Sequence, residues 1–390
     1  MQTKRILVIL ILLLSLFRSE KGNCQDSCQL RISILTCGSA EELYSSYGHS
    51  AVRIIDSCKG TDIVYNYGTF NFGDPDFYLK FTRGKLEYYL NDESFEGFLS
   101  LYREEHRTVQ EQVLRLPAVD ALAVSDFLQN NLKEENRYYK YDFLFDNCSS
   151  RIRDVFANLF QQRIQFPTII SNDSISFRVL LDHYERNLHW ERFGINLLMS
   201  NLVDNKMKSY ETMFLPDYLF KGFAGATLDG NQLVASTATL LPDNLFSENK
   251  LNEPKCYLWV LLGVIFFLSF FKKADWALKF FDVFFFMILG LLGGLMLFMW
   301  FGTEHKVCAW NLNLLWAFPL HLVFAFMIPR NSAKISQYAK YTSWLLIAAI
   351  FYNIFAPQKY MSEITPLLIL ILLRLNHYSK QIRRFSYKTS

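Results

Sequence analysis

Five apolar runs, at about residues 256–271, 280–302, 312–328, 341–356 and 364–375, constrain this chain more than any other feature. A hydrocarbon core of roughly 30 Å accepts only helices or closed barrels, because a backbone N–H or C=O left unpaired in lipid is too costly. Runs this rich in Phe, Leu and Ile predict an α-helical membrane bundle, with the first, fourth and fifth short for a full crossing. Charge sets its orientation. If residue 255 lies outside the cytoplasm, the loops 272–279 and 329–340 and the tail from 374 face the cytoplasm. They hold Lys272, Lys273, Lys279, Arg330, Lys334, Lys340, Arg374, Lys380, Arg383, Arg384 and Lys388, whereas the opposite loops, 303–311 and 357–363, hold only Lys306 and Lys359. Eleven against two is a strong positive-inside bias, and it puts residues 24–255 on the outer side of the membrane.

The start of the chain agrees with export. Lys4 and Arg5 precede a twelve-residue apolar run at 6–17, short for a span but normal for a signal, so residues 1–23 read as a cleaved signal peptide or a retained anchor. Cys24, Cys28, Cys37, Cys58 and Cys148 follow before the membrane, an odd count compatible with paired structural cysteines and one free thiol. The net charge of +3 leaves no footprint for a nucleic-acid partner. No spacing resembles a closed zinc site or a phosphate-cradling Gly loop, so neither metal nor cofactor is expected.

The outer segment reads as α+β. Residues 30–35, 49–55 and 63–67 alternate or are β-branched and aromatic, which predicts strands, with 56–61 as a hairpin loop. Pairing 49–55 with 62–68 brings His49 opposite the neighbourhood of residues 66–68. Asn66 and Tyr67 are then both candidates to hold the imidazole, since a one-residue slip in register exchanges them. Residues 77–90 read as strand or mixed, 94–106 and 118–132 as helices, and 232–240 as a further strand. Trp190, Phe193 and the block 213–220 suit either core packing or a membrane surface.

The chemically sharpest stretch is Tyr141-Asp-Phe-Leu-Phe-Asp-Asn-Cys-Ser-Ser-Arg151. It reads as an aromatic turn leading through Asn147 and Cys148 into an amphipathic helix starting at Ser149 or Ser150, with Ile152, Val155, Phe156 and Leu159 at helical spacing. A thiol in a first helical turn lies beside unpaired amides and the positive end of the helix dipole, which favours the thiolate nucleophile. Taken singly, a Cys is often an inert core residue, and a strand His is often structural. As a pair they point to Cys/His catalysis, which needs a thiolate, an imidazole and a third polar group to fix the ring. Papain-like folds normally run Cys before His; here the order is reversed, as in circularly permuted members.

Several blocks together carry a family likeness. Leu35-Thr-Cys-Gly-Ser39, Gly48-His49-Ser50, Val64-Tyr-Asn-Tyr-Gly-Thr-Phe-Asn-Phe72, Phe77-Tyr-Leu-Lys-Phe-Thr-Arg-Gly-Lys-Leu86 and the Cys148 stretch resemble the N-terminal periplasmic domain of the Bacteroidota lipoprotein N-acyltransferase family, Lnb. The likeness continues through Met213-Phe-Leu-Pro216 and Asn311-Leu-Asn-Leu-Leu-Trp316. It implies an α+β fold: a circularly permuted papain-like (NlpC-like) extracytoplasmic domain followed by an α-helical membrane bundle. The expected layout is a thiol domain at 24–165, an extension at 166–255, a bundle of about five helices at 256–375 and a basic cytoplasmic tail at 376–390. The implied reaction moves a fatty acyl chain from a membrane phospholipid donor to the α-amine of a diacylated lipoprotein acceptor, with Cys148 as nucleophile and His49 as base. The implied location is the inner membrane, multi-pass, with the N-terminal domain in the periplasm.

The topology also puts His305, Asn311 and Asn313 at the outer membrane-water boundary, on the side of Cys148. They are candidates to bind substrate, or else partners for helix ends. His321 lies deeper, where a kink at Pro319 would give it a backbone partner. Two other functions compete: a membrane-anchored cysteine peptidase or amidase acting on peptidoglycan, for which five spans exceed the anchor a hydrolase needs, and a non-enzymatic membrane scaffold with Cys148 structural.

Overall fold

The computed structural model describes residues 29–40, 42–170, 175–242, 251–330 and 333–380. The expected export segment at 1–23, Cys24, Cys28 and residues 381–390 of the expected tail lie outside the described residues.

Strands form where alternation predicts them. β1 (Leu30–Cys37), β2 (His49–Asp56) and β3 (Thr61–Thr69) pair antiparallel in succession. The β2–β3 turn closes on Gly60 at φ 63°, and Asp56 Oδ1 accepts from the amides of Cys58 and Lys59 at 2.9 and 3.1 Å. Then follow α1 (Phe77–Thr82), β4 (Glu87–Ser94), α2 (Phe95–Glu104), β5 (Val109–Leu114), α3 (Ala118–Asn131), β6 (Tyr138–Lys140) and α4 (Cys148–Phe160). The 77–90 stretch, expected as strand or mixed, divides into helix and strand around Gly84, whose φ of 67° suits the turn after α1. Beyond α4 come β7 (Ile164–Gln165), α5 (Phe177–Tyr184), α6 (His189–Leu198), α7 (Pro216–Ala224), β8 (Thr227–Leu228), β9 (Asn231–Gln232) and β10 (Val234–Leu241).

Seven strands make one sheet in the order β10-β5-β1-β2-β3-β4-β6, every neighbour antiparallel. Both faces are covered at its centre. Ile32, Ile34, Val52, Ile54 and Tyr67 pack with Val124 of α3, Ile152 and Phe156 of α4 and Phe223 of α7, while Leu35, Ala51 and Val64 pack with Phe98 and Tyr102 of α2. Ile152, Phe156 and Phe160 are fully buried. At about 1.5–3 kcal/mol each, they fix the helix carrying Cys148 more firmly than its cap, worth about 1 kcal/mol. Residues 166–255, set apart in sequence as an extension, supply edge strand β10 and the core residues Met213, Leu219 and Phe223 to this same body. Trp190 instead stacks on Tyr257, with ring centroids 6.0 Å apart.

The helical C-terminal region comprises α8 (Glu253–Leu268), α9 (Asp275–Phe301), α10 (His321–Met327), α11 (Ala333–Asn353) and α12 (Ile364–Ser379). Among the described residues, one segment, Lys272–Phe301, is long and apolar enough to cross a membrane on length and composition alone. The third expected run becomes α-helical only at His321, because Leu312–Leu315 is a single 3₁₀ turn and Pro319 cannot donate to a preceding turn. His321 does find a backbone partner, the Trp316 carbonyl at 3.2 Å. Large apolar side chains point outward (Phe266, Phe267, Ile288, Leu291) as well as inward (Phe286, Leu289, Phe324), the all-round apolarity of helices bathed in lipid. Inside the bundle, Arg374 Nε and Nη2 each donate to the Asp282 carboxylate at 2.7 Å, and the Tyr378 hydroxyl donates to it at 2.7 Å. A buried charge pair is tolerable there only because it is so fully hydrogen-bonded.

Candidate active site

Cys148 is the first residue of α4, not the residue before it. Asn147 is the N-cap: its side chain accepts from the Ser150 amide at 2.9 Å, and its own amide donates to Ser150 Oγ at 2.8 Å. This reciprocal cap starts the helix one or two residues earlier than Ser149 or Ser150, and places the thiol among the unpaired amides of the first turn. Asn147 Nδ2 also donates to the carbonyls of Phe143 and Phe214, at 2.8 Å each, which pins the turn to the core.

His49 opens β2, opposite Cys37 on β1. Gly48 before it has φ 80°, and a Cβ there would lie 2.5 Å from the Cys37 carbonyl oxygen, so the tight approach needs glycine. His49 Nε2 lies 3.1 Å from Asn66 Oδ1, and Asn66 Nδ2 donates to Glu93 Oε1 at 2.8 Å. The atom assignment follows from the chemistry. A carboxylate only accepts, so the amide nitrogen of Asn66 faces Glu93 and its oxygen accepts from His49 Nε2–H, leaving Nδ1 for the thiol.

The electrostatics agree with this geometry. Burial disfavours the thiolate of Cys148, but the charge and hydrogen bond of His49, the Ser50 amide and the Ser149 hydroxyl outweigh it, and the thiol pKa falls below its ordinary value. Burial likewise disfavours the imidazolium of His49, and the thiolate with Asn66 outweighs it, raising that pKa. Glu93 is pushed up by burial, against the pull of His49 and Asn66. Cys37, fully buried beside Tyr102, is pushed up to about 12 and stays a thiol.

Tyr67, the alternative to Asn66, is turned to the other face of β3. Its hydroxyl donates to Asn131 Oδ1 at 2.6 Å, away from the imidazole. The β2–β3 register decides this: Val52 opposite Tyr65 leaves Asn66, and not Tyr67, on the side of His49.

The three boundary residues are not gathered around the thiol. Asn311 and Asn313 are buried, and both side-chain amides donate to the Leu197 carbonyl, at 2.7 and 3.1 Å. Asn311 Oδ1 accepts from Gln358 and from the Asn313 amide, and Asn313 Oδ1 accepts from Trp316. In this structure both staple α6 to the loop of the helical region. His305 donates instead to the Phe81 carbonyl at 3.1 Å, and Glu304 accepts from Lys140 at 2.7 Å. That loop is clasped to the sheet domain near α1.

Comparison with known families decides where such a chain belongs. Residues 24–181 match a family model described as the Lnb N-terminal periplasmic domain, and residues 247–384 match one described as the Lnb transmembrane domain. The chain belongs to the Lnb family. Lnb domains imply a membrane-embedded protein of the lipoprotein N-acyltransferase type with a periplasmic N-terminal domain. No curated protein and no solved structure gives a significant match.

Within this Lnb domain, sequence reasoning missed Glu93. Nothing on its own strand marks it; only the β3–β4 register, Val64 with Glu93 and Asn66 with Asn91, puts it diagonally beside Asn66 on one face. It also missed Ser50, whose amide faces the Cys148 sulfur and whose hydroxyl lies 2.9 Å from that of Ser149. Among the described residues, no group of three or more His, Cys, Asp or Glu is placed to hold a metal ion.

Proposed function

We propose that the chain is a multi-pass thiol acyltransferase of the inner membrane. It moves a fatty acyl chain from a phospholipid ester, through a Cys148 thioester, to the α-amine of a diacylated lipoprotein's N-terminal Cys. On this reading the periplasmic domain has a circularly permuted papain-like layout, with the base on a strand that precedes the nucleophile's helix. The observation that supports it is the row Cys148–His49–Asn66–Glu93, on a domain clasped through Phe81 to His305 of the helical region.

His49 holds the proton taken from Cys148, and Asn66, backed by Glu93, holds the ring. The thiolate attacks the ester carbonyl, and first-turn amides of α4 stabilise the oxyanion. Collapse breaks the C–O bond, and the lysophospholipid leaves as an alcohol with the proton from His49. The lipoprotein amine then attacks the thioester carbonyl, gives its proton to His49 and expels the thiolate, leaving an amide. The thioester suits the task because thiolate is a good leaving group and the amide product is stable.

The test uses the full chain in phosphatidylethanolamine vesicles with a synthetic diacylated lipopeptide bearing a free α-amine. Mass spectrometry is expected to find N-acyl lipopeptide, and, without the lipopeptide, a hydroxylamine-labile acyl group on Cys148. Peptide cleavage, or transfer that survives Cys148→Ala, would overturn the reading.

A further inference from the structure

Cys148 is half-buried, and a phospholipid must bring its ester to it from the bilayer. A continuous row of rings runs from the nucleophile to the surface. Tyr141 flanks Cys148 across Gly68, where a Cβ would lie 3.8 Å from Cys148 Cβ and 3.9 Å from Tyr141 Cε2. Tyr141 stacks on Tyr88 at 4.3 Å, Tyr88 meets Phe70 edge-on at 5.2 Å, and Phe70 stacks on Phe77 at 5.7 Å. Phe77 in turn stacks on Phe81 at 6.1 Å.

At its far end the row is no longer core. Tyr78, Leu79 and Phe81 of α1 are 83 %, 58 % and 52 % exposed, and Phe72 beside them is 74 % exposed. Exposed apolar side chains gathered this closely mark an interaction surface. Their position identifies what covers them. The Glu304 amide donates to the Arg83 carbonyl at 2.9 Å, His305 donates to Phe81, and Gly84 packs within 3.3 Å of both residues if given a Cβ. Those residues follow α9, the segment long and apolar enough to cross a membrane. Its last turn carries Trp300 and Phe301, and Trp310 lies against Trp300 at 4.6 Å. Aromatic side chains at the end of such a helix belong at the membrane-water boundary. Beside α1 a polar cavity of about 420 Å³ is lined by Lys80, Lys85 and Arg137 together with Asp74 and Glu87.

We infer that α1 lies in the periplasmic leaflet of the bilayer, and that the rings from Phe81 to Tyr141 form the wall along which a phospholipid acyl chain reaches Cys148. The inference rests on the acyl-transfer reading. A ring row suits it because an acyl chain offers only apolar surface, and rings bind such surface without demanding one chain length.

The experiment compares the full chain with Tyr78→Ser/Phe81→Ser in vesicles of phosphatidylethanolamine and phosphatidylglycerol. It measures Cys148 thioester formation from bilayer phospholipid and from a soluble short-chain ester. The double substitution is expected to lower the ratio of the first rate to the second about tenfold. A ratio unchanged within twofold would overturn the inference while leaving acyl transfer standing, and no thioester from either donor in the unaltered chain would overturn acyl transfer itself. In a second measurement, photo-crosslinking from p-benzoylphenylalanine at position 78 in intact membranes is expected to capture phospholipid. Capture of a second copy or of a lipoprotein in place of lipid would overturn the bilayer seat.

Discussion

Removing the Asn66 amide is the perturbation whose size the structure lets us work out. Asn66 Oδ1 accepts from His49 Nε2 at 3.1 Å, and it is one of the groups that lift the His49 pKa. A hydrogen bond to a charged partner contributes about 1.5–3 kcal/mol. Asn66→Ala removes it and should lower the His49 pKa. The sign for Cys148 is opposite: its thiolate loses part of its cationic partner, so its pKa rises toward the ordinary 9.0. The assay is peptide-resolved alkylation of the full-length protein in detergent by iodoacetamide across a pH series. The unaltered protein should show Cys148 reacting with a midpoint below 9.0, and Asn66→Ala a midpoint shifted upward, a value belonging to the coupled pair. Acyl transfer near neutral pH should fall about 10- to 100-fold with the circular-dichroism melt little changed. Superimposable alkylation profiles from two folded proteins would refute the argument that Asn66 holds the imidazolium.

Other outcomes follow from the same geometry. Glu93→Ala acts one bond further away and should cost about 3- to 10-fold in kcat with KM unchanged; a loss larger than that of Asn66→Ala would contradict the order of the row. Cys37, pushed up to about 12, should stay unmodified at pH 8 while Cys148 is alkylated, and equal labelling of the two would contradict its burial. Asp282→Ala leaves the Arg374 guanidinium buried without its carboxylate and should cost about 3–5 kcal/mol in a detergent melt, with much of the loss recovered by adding Arg374→Leu.

How far the sequence could be read depended on the range of the interaction involved. The strands around His49 were legible because alternation is local, and the bundle was legible because apolarity in long runs has few other uses. The start of α4 was misread by a residue or two, since Ser149 and Ser150 look like caps and only their hydrogen bonds reveal Asn147 as the cap. Choosing Asn66 over Tyr67 required the register, which one shifted residue reverses. Glu93 was invisible because its partner lies on a neighbouring strand 27 positions away. The hydrogen bonds of Asn311 and Asn313 were not legible, because both go to the Leu197 carbonyl, more than a hundred residues earlier in the chain.

The most direct test of the central claim is mass spectrometry of lipoprotein N-terminal peptides from cells whose only copy of this protein is either unaltered or Cys148→Ala. The account predicts N-acylated peptides in the first case, and diacylated peptides with a free α-amine in the second, at equal protein level. Peptides that remain N-acylated with Cys148→Ala as the only copy would contradict it.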